Sequence, residues 1–275
     1  MGVFFEARKA IPVTIGSIRH CRLPLQDPGV RCPWEGAAEW AGTLSCCGLT
    51  KYGRKELCVA TTAFAIVAAV LVWLAWAGSW WLLTAGAVPL AVWLWVLWFF
   101  RDPQRDPPQS PGLFVSPADG TVSDITPVGP QCELGRSGLR LGVFMSIFDV
   151  HVNRSPCQGR VQAVEHRDGA FLDARDPSAS DRNEAATIRM TYPWAGREYP
   201  IVVRQVAGLI ARRIVTDLAE GQSLARGDRI GMIKFGSRLE LLVPQELVGE
   251  VRAKVGQRVR AGETVLVAAP SGDAE

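Results

Sequence analysis

From Leu57 to Phe100 the chain runs for 44 residues without an Asp, Glu, Lys or Arg, and seven of its ten tryptophans lie in that block. A membrane-spanning helix needs about 20 apolar residues, because each residue rises about 1.5 Å against about 30 Å of hydrocarbon. The block is long enough for two such helices, expected near Leu57–Ala77 and Trp80–Phe100, with Gly78 and Ser79 as a tight connection. Pro89 falls inside the second, where a neighbouring helix can re-satisfy the backbone. Lys51, Arg54 and Lys55 precede the block and Arg101 and Arg105 follow it. Basic residues on both flanks predict a hairpin with both ends in the cytoplasm, at the inner membrane. A re-entrant hairpin dipping into one leaflet satisfies the same charges. A signal peptide does not fit a block that is this long and begins more than fifty residues into the chain.

The remaining 231 of 275 residues carry all 57 charged side chains, the usual share for a soluble chain. A wholly soluble protein and a multi-span transporter are both excluded. The net charge of +3 is too small to argue for nucleic acid. Seven cysteines without a CxxC pair, and three histidines in all, argue against a structural metal site. Cys21, Cys32, Cys46 and Cys47 leave room for a disulfide cluster, but free thiols in a reducing compartment are the simpler reading. Residues 1–50 show no sustained period and are expected to form a poorly ordered extension.

After a Pro-rich connector, 102–111, the pattern changes to short β runs punctuated by Gly, Pro and Asp. The runs are 113–115, 120–125, 139–148, 159–166, 186–192, 199–206, 229–235, 239–243 and 264–268. Only 210–219 reads as a short helix. Residues 101–275 are therefore expected to form a mainly β domain, sandwich- or barrel-like, with a minor α component. Its Gly-punctuated tail, 249–267, has the rhythm of biotinyl and lipoyl carrier domains.

Four segments of this domain carry chemistry. Gly236-Ser237, between Phe235 and Arg238, puts a hydroxyl beside a flexible carbonyl in a strand-turn-strand context. Attack of Ser237 on the Gly236 carbonyl would exchange an amide for an ester; an ordinary hairpin turn uses the same two residues. Asp149-Val-His151-Val-Asn153-Arg154-Ser-Pro156 ends a strand in polar groups, and an unperturbed histidine, with a pKa of ~6.5, suits proton transfer near neutrality. A structural histidine at a strand end fits equally. Ser116-Pro-Ala-Asp119-Gly120 offers a carboxylate in what is otherwise a common turn. Gln205-Val-Ala-Gly208-Leu-Ile-Ala-Arg212-Arg213 offers paired guanidinium groups for a carboxylate or phosphate, or simply a solvated face.

In this order and spacing, and with Phe99-Phe-Arg-Asp-Pro-Gln-Arg105 ahead of them, these motifs resemble the phosphatidylserine decarboxylase proenzymes, in particular the short bacterial type. The resemblance runs from about residue 57 to 269. It implies self-cleavage between Gly236 and Ser237, giving a β chain of 1–236 and an α chain of 237–275. It implies that Ser237 becomes a covalent pyruvoyl group, the cofactor, which forms a Schiff base with the amine of phosphatidylserine and accepts the electrons left when CO₂ departs. Phosphatidylethanolamine is then the product. The resemblance makes His151 the candidate proton donor and carries Asp119 over by motif. Larger members have a second histidine where this chain has Arg154, so a full Asp-His-Ser relay is not expected. Whether His151 serves both steps, or Asp119 acts with a water, stays open. His20 and His166 match nothing. Arg212, Arg213 and Arg154 are candidates for the anionic headgroup. A homo-oligomer is compatible with all of this.

Two alternatives compete. A membrane-tethered carrier or adaptor would use Lys234 as a modified lysine, although Gly-Ser-Arg follows it where a carrier needs its own hairpin. A non-maturing homologue would keep the architecture as one intact chain. A serine hydrolase lacks its Gly-x-Ser-x-Gly around Ser237.

Overall fold

The computed structural model describes residues 48–270 except 79, 177, 210–212 and 235. The expected N-terminal extension lies outside the described residues, bar its last three, and so do Cys21, Cys32, Cys46, Cys47, His20 and Arg212. Cys58, Cys132 and Cys157 are free thiols.

Helix α1 (Arg54–Trp76) is the one described helix long and apolar enough to cross a membrane. Its 23 residues reach about 34 Å at 1.5 Å each. The second arm differs from the expectation. A 3₁₀ stretch, Trp80–Gly86, precedes α2 (Ala87–Phe99), only 13 residues long. Pro89 is the reason for the boundary: it occupies the first turn of α2, where its missing N–H has no intrahelical partner to lose. The two arms pack on each other, with Phe64 and Trp93 stacked at 4.9 Å and the Trp93 indole donating to Thr61 Oγ1 at 3.2 Å. Val59, Ile66, Trp73 and Trp76 face outward, uncovered by protein. A helix with so much bare apolar surface fits hydrocarbon as its solvent.

The β strands follow in the order β1 (Leu113–Val115), β2 (Gly120–Val128), β3 (Gly138–Met145), β4 (Val152–Arg154), β5 (Gly159–Arg167), β6 (Ala185–Trp194), β7 (Arg197–Val206), β8 (Ile214–Val215), β9 (Ser223–Leu224), β10 (Arg229–Ile233), β11 (Ser237–Pro244), β12 (Glu250–Val251), β13 (Arg258–Val259) and β14 (Val265–Ala268). A short helix, α3 (Ala179–Arg182), lies between β5 and β6. The main sheet has eight antiparallel strands in the order β13-β2-β3-β11-β7-β6-β5-β9, and β1-β14-β12 and β4-β10-β8 form two small sheets. The domain is thus mainly β. The short helix expected at 210–219 is not formed where it is described: Ile214 and Val215 pair with Ile233 and Met232, as β-branched residues on a pleated surface do.

Strand β11 lies inside the sheet and every residue in it is buried. Alternation sends Leu239, Leu241 and Val243 into the main core, and Arg238 and Glu240 to the opposite face. The buried charges there are paired. Arg238 Nη2 meets Asp124 at 2.7 Å, and Arg204 Nη2 meets Glu240 Oε2 at 2.7 Å. Burial alone would raise the Glu240 carboxyl, but Arg204, Ser180 and Arg238 pull it below its usual range.

The ends of the two apolar arms are built into the β domain. Thr50 N–H donates to the Phe100 carbonyl at 2.9 Å, and Tyr52 donates to Asp217 at 2.8 Å. Tyr52, Leu57, Phe99, Phe100 and Met232 form a buried cluster. Burying each such phenyl ring contributes up to about 3 kcal/mol.

Candidate active site

Strand β10 brings the chain to Lys234, and Gly236 then turns it into β11 with φ +54°, a left-handed conformation that suits glycine. Gly208 approaches this turn from the end of β7. A Cβ on Gly208 would stand 2.1 Å from the Gly236 carbonyl oxygen, so only glycine fits there. The Gly236–Ser237 bond is consequently held at both ends, by the left-handed turn and by the ladder of β11.

Ser237 is fully buried, and its Oγ has no hydrogen-bond partner among the described residues. A hydroxyl in that state is costly unless it has work to do. His151, also fully buried, stands just before β4. Its Nδ1 lies 2.9 Å from the Asp149 carbonyl, which only accepts, so Nδ1 carries the proton and Nε2 a lone pair. Nε2 also lacks a partner among the described residues. Burial pushes the imidazole down to about 4, against the opposing pull of the Asp149 carbonyl. The ring is therefore a neutral acceptor near neutrality. Phe99 forms one wall of its pocket at 4.4 Å. Asp149 fixes the loop below: its carboxylate accepts from Ser146 N–H at 2.9 Å and from Arg258 at 2.7 Å.

Asp119 is placed differently from the relay that its motif suggests. Its oxygens accept from Arg105 at 2.7 Å and from the Ala261 N–H at 2.7 Å. Neither bond is to His151 or Ser237. Burial raises its carboxyl, opposed by the Ala261 N–H and by Arg105. Arg154 is committed too, to Asp102 at 2.8 Å and to the Pro103 and Gly227 carbonyls. It ties the connector to β4. Arg213 is exposed at the start of β8, and its carbonyl accepts from Lys234 N–H at 3.2 Å. Lys234 is buried against Glu56 of α1 at 2.5 Å, which leaves the carrier alternative without an exposed lysine.

A cavity of about 330 Å³ opens beside Gly236. Phe144, Ile147, Ala174 and Leu209 make its apolar walls, with Arg175 and Asp173 at the rim. Arg175 holds Asp173 through three side-chain bonds, at 2.7, 3.1 and 3.2 Å, and stands over the Phe144 ring at 5.8 Å.

Sequence reasoning missed Phe99 as a wall of the histidine pocket, Gly208 as the partner of the Gly236 carbonyl, and the neighbouring amides Asn153 and Gln205. All four stand in motifs that the sequence displays. What sequence lacks is the long-range pairing that brings them together.

The site thus joins a mainly β domain and an apolar helical arm to a buried serine, without a hydrogen-bond partner among the described residues, directly after a left-handed glycine. The chain belongs to the phosphatidylserine decarboxylase family, whose model matches residues 93–267. The curated phosphatidylserine decarboxylase proenzyme of Cereibacter sphaeroides is 47% identical over 186 residues, covering 66% of this chain and 77% of that protein.

Proposed function

We propose that this chain is a proenzyme that cuts itself between Gly236 and Ser237 and then decarboxylates phosphatidylserine to phosphatidylethanolamine. The observation that carries the reading is the isolated Ser237 hydroxyl beside a carbonyl pinned by Gly236 and Gly208. The residues fit a group made from Ser237: the side chain is enclosed, without a hydrogen bond among the described residues, and belongs to the first residue of β11. When formed, the pyruvoyl group supplies the electron sink that decarboxylation of an amino acid needs.

The chain's own residues do the rest. His151 Nε2 takes the Ser237 hydroxyl proton during cleavage and holds a proton for the substrate Cα afterwards. As the neutral ring carries its proton on Nδ1, His151 must first be charged before it can donate from Nε2. Asp119 acts at one remove, by fixing Arg105 and the 261 turn. After cleavage the α chain, 237–275, stays in place because β11 is paired with β3 on one side and β7 on the other. Arg175, exposed at the rim of the cavity, and Arg213, exposed just before β8, are suited to an anionic headgroup. The apolar arms form a hairpin that holds the site at the cytoplasmic face of the membrane, whether it spans or re-enters. There the acyl chains can remain in the bilayer.

The test is conversion of phosphatidylserine in mixed vesicles by purified protein. Wild type should release phosphatidylethanolamine and Ser237→Ala should release none. Equal activity in both would reject Ser237 as the source of the reactive group.

A further inference from the structure

Three buried polar atoms near the cleavage bond have no hydrogen-bond partner among the described residues: Ser237 Oγ, His151 Nε2 and Gln205 Oε1. The sheet register puts Ser237 and Gln205 on one face. Gln205 is directly opposite Leu239, and Ser237 lies two residues before Leu239, so all three side chains point the same way. Extending that register sets Ser237 diagonally across from Gln205, within reach of a long side chain. On the other side Ser237 pairs with Met145, whose sulfur lies 3.6 Å from Asn153 Nδ2. Asn153 closes the circuit, because its Oδ1 accepts from Gln205 Nε2 at 2.7 Å. His151 is two residues before Asn153 in the chain, just outside β4, and packs on Phe99. Both amide residues are fully buried. Gly231 makes room for them: a Cβ there would come within 3.1 Å of Gln205 Nε2.

Among the described residues Gln205 Oε1 and His151 Nε2 are thus acceptors without a donor, and the Ser237 hydroxyl is a donor without an acceptor. That balance changes during self-cleavage. The bond from Oγ to the Gly236 carbonyl carbon forms, the bond from that carbon to the Ser237 nitrogen breaks, and the hydroxyl proton passes through His151 to the nitrogen. Amide and hydroxyl become ester and amine. An amine, protonated or neutral, is the donor that two idle acceptors lack.

We propose that Gln205 is a further catalytic residue of maturation: its Oε1 receives the amine that forms on Ser237 and so stabilises the ester, with Asn153 as the residue that positions it. The proposal rests on the self-cleavage reading above and deepens it. In the mature enzyme the substrate's amine meets the same acceptor, since it joins the carbon from which the serine nitrogen left.

The ester can be read directly, before any later step. Hydroxylamine cuts an ester and leaves an α chain that starts with unmodified Ser237, identified by mass. Freshly synthesised full-length precursor in detergent, treated with hydroxylamine, should yield that chain. Gln205→Met keeps the length but removes the acceptor; losing a hydrogen bond to a charged amine should reduce the yield by at least about tenfold. Asn153→Leu should lower it in the same direction. Gln205→Glu restores an oxygen at the same reach and should recover most of the yield, which a purely structural role or a folding defect would not predict. A Gln205→Met precursor that matches wild type, or a Gln205→Glu precursor as poor as Gln205→Met, would overturn the proposal. If wild type itself neither yields the Ser237 chain nor breaks on its own, the self-cleavage reading fails and this one falls with it.

Discussion

The phenyl ring of Phe99 and the imidazole of His151 lie 4.4 Å apart, tilted by 37°. Phe99 ends the second apolar arm, and His151 is the buried acceptor of the candidate site. The apolar arm and the site are thus packed together, and the arm sets the environment in which the histidine titrates.

Phe99→Leu keeps much of the volume and removes the aromatic wall. With more water at the ring, the His151 pKa should climb from about 4 back toward 6.5. In the proposed self-cleavage the ring acts neutral, so the acid limb of the rate should move up by about one pH unit or more. Precursor conversion timed between pH 4 and 8 measures this. An unmoved limb would mean that Phe99 does not govern the ring.

Gly208→Ala places a methyl group 2.1 Å from the Gly236 carbonyl oxygen. The contact is with backbone that β11 holds fast, so the scissile carbonyl must shift. Conversion of the precursor should slow by about a hundredfold, the order expected for a misplacement near 1 Å. Gels of precursor and products over time show the effect; cleavage at the wild-type rate would refute the close approach.

The Lys234 side chain is 8% exposed and that of its partner Glu56 38%. Glu56→Gln leaves the buried ammonium short of its countercharge and should destabilise the fold by about 1–3 kcal/mol. Adding Lys234→Met should recover most of that loss, because both halves of the pair are then gone. Thermal unfolding of the three variants in detergent forms the cycle, and simple additivity would show the pair to be uncoupled.

His151 also gives stability a pH dependence. Its folded pKa of about 4 lies below the unfolded value of 6.5, so between these limits the unfolded chain binds more protons. Stability contributed by the neutral ring is present above pH 6.5 and lost as pH falls toward 4, roughly 3 kcal/mol in all. His151→Gln, which does not titrate, should flatten this part of the profile. Identical slopes in both proteins would contradict the depressed pKa.

Local pattern made much of the fold legible. Short alternating runs located nine of the fourteen strands, β1 and the start of β2 to the residue. The uncharged block announced an apolar arm, and Gly236-Ser237 announced the turn into β11. Pairings were harder to read. Ile214–Val215 has a helical look until Ile233 and Met232 are set beside it. Arg154 looks like a free cation until Asp102, 52 residues earlier, meets it. Asp119 matches its motif, yet the fold gives its oxygens to Arg105 and the Ala261 N–H. In each case the decisive partner is distant in sequence, and only topology brings it near.

The central claim is that the chain breaks at Gly236/Ser237 and converts Ser237 to a pyruvoyl group. Intact mass of the purified protein under denaturing conditions tests it most directly. The account predicts two chains, 1–236 and 237–275, the smaller with a pyruvoyl N-terminus, and a single full-length chain for Ser237→Ala. A wild-type protein that remains one unmodified chain of 275 residues would contradict it.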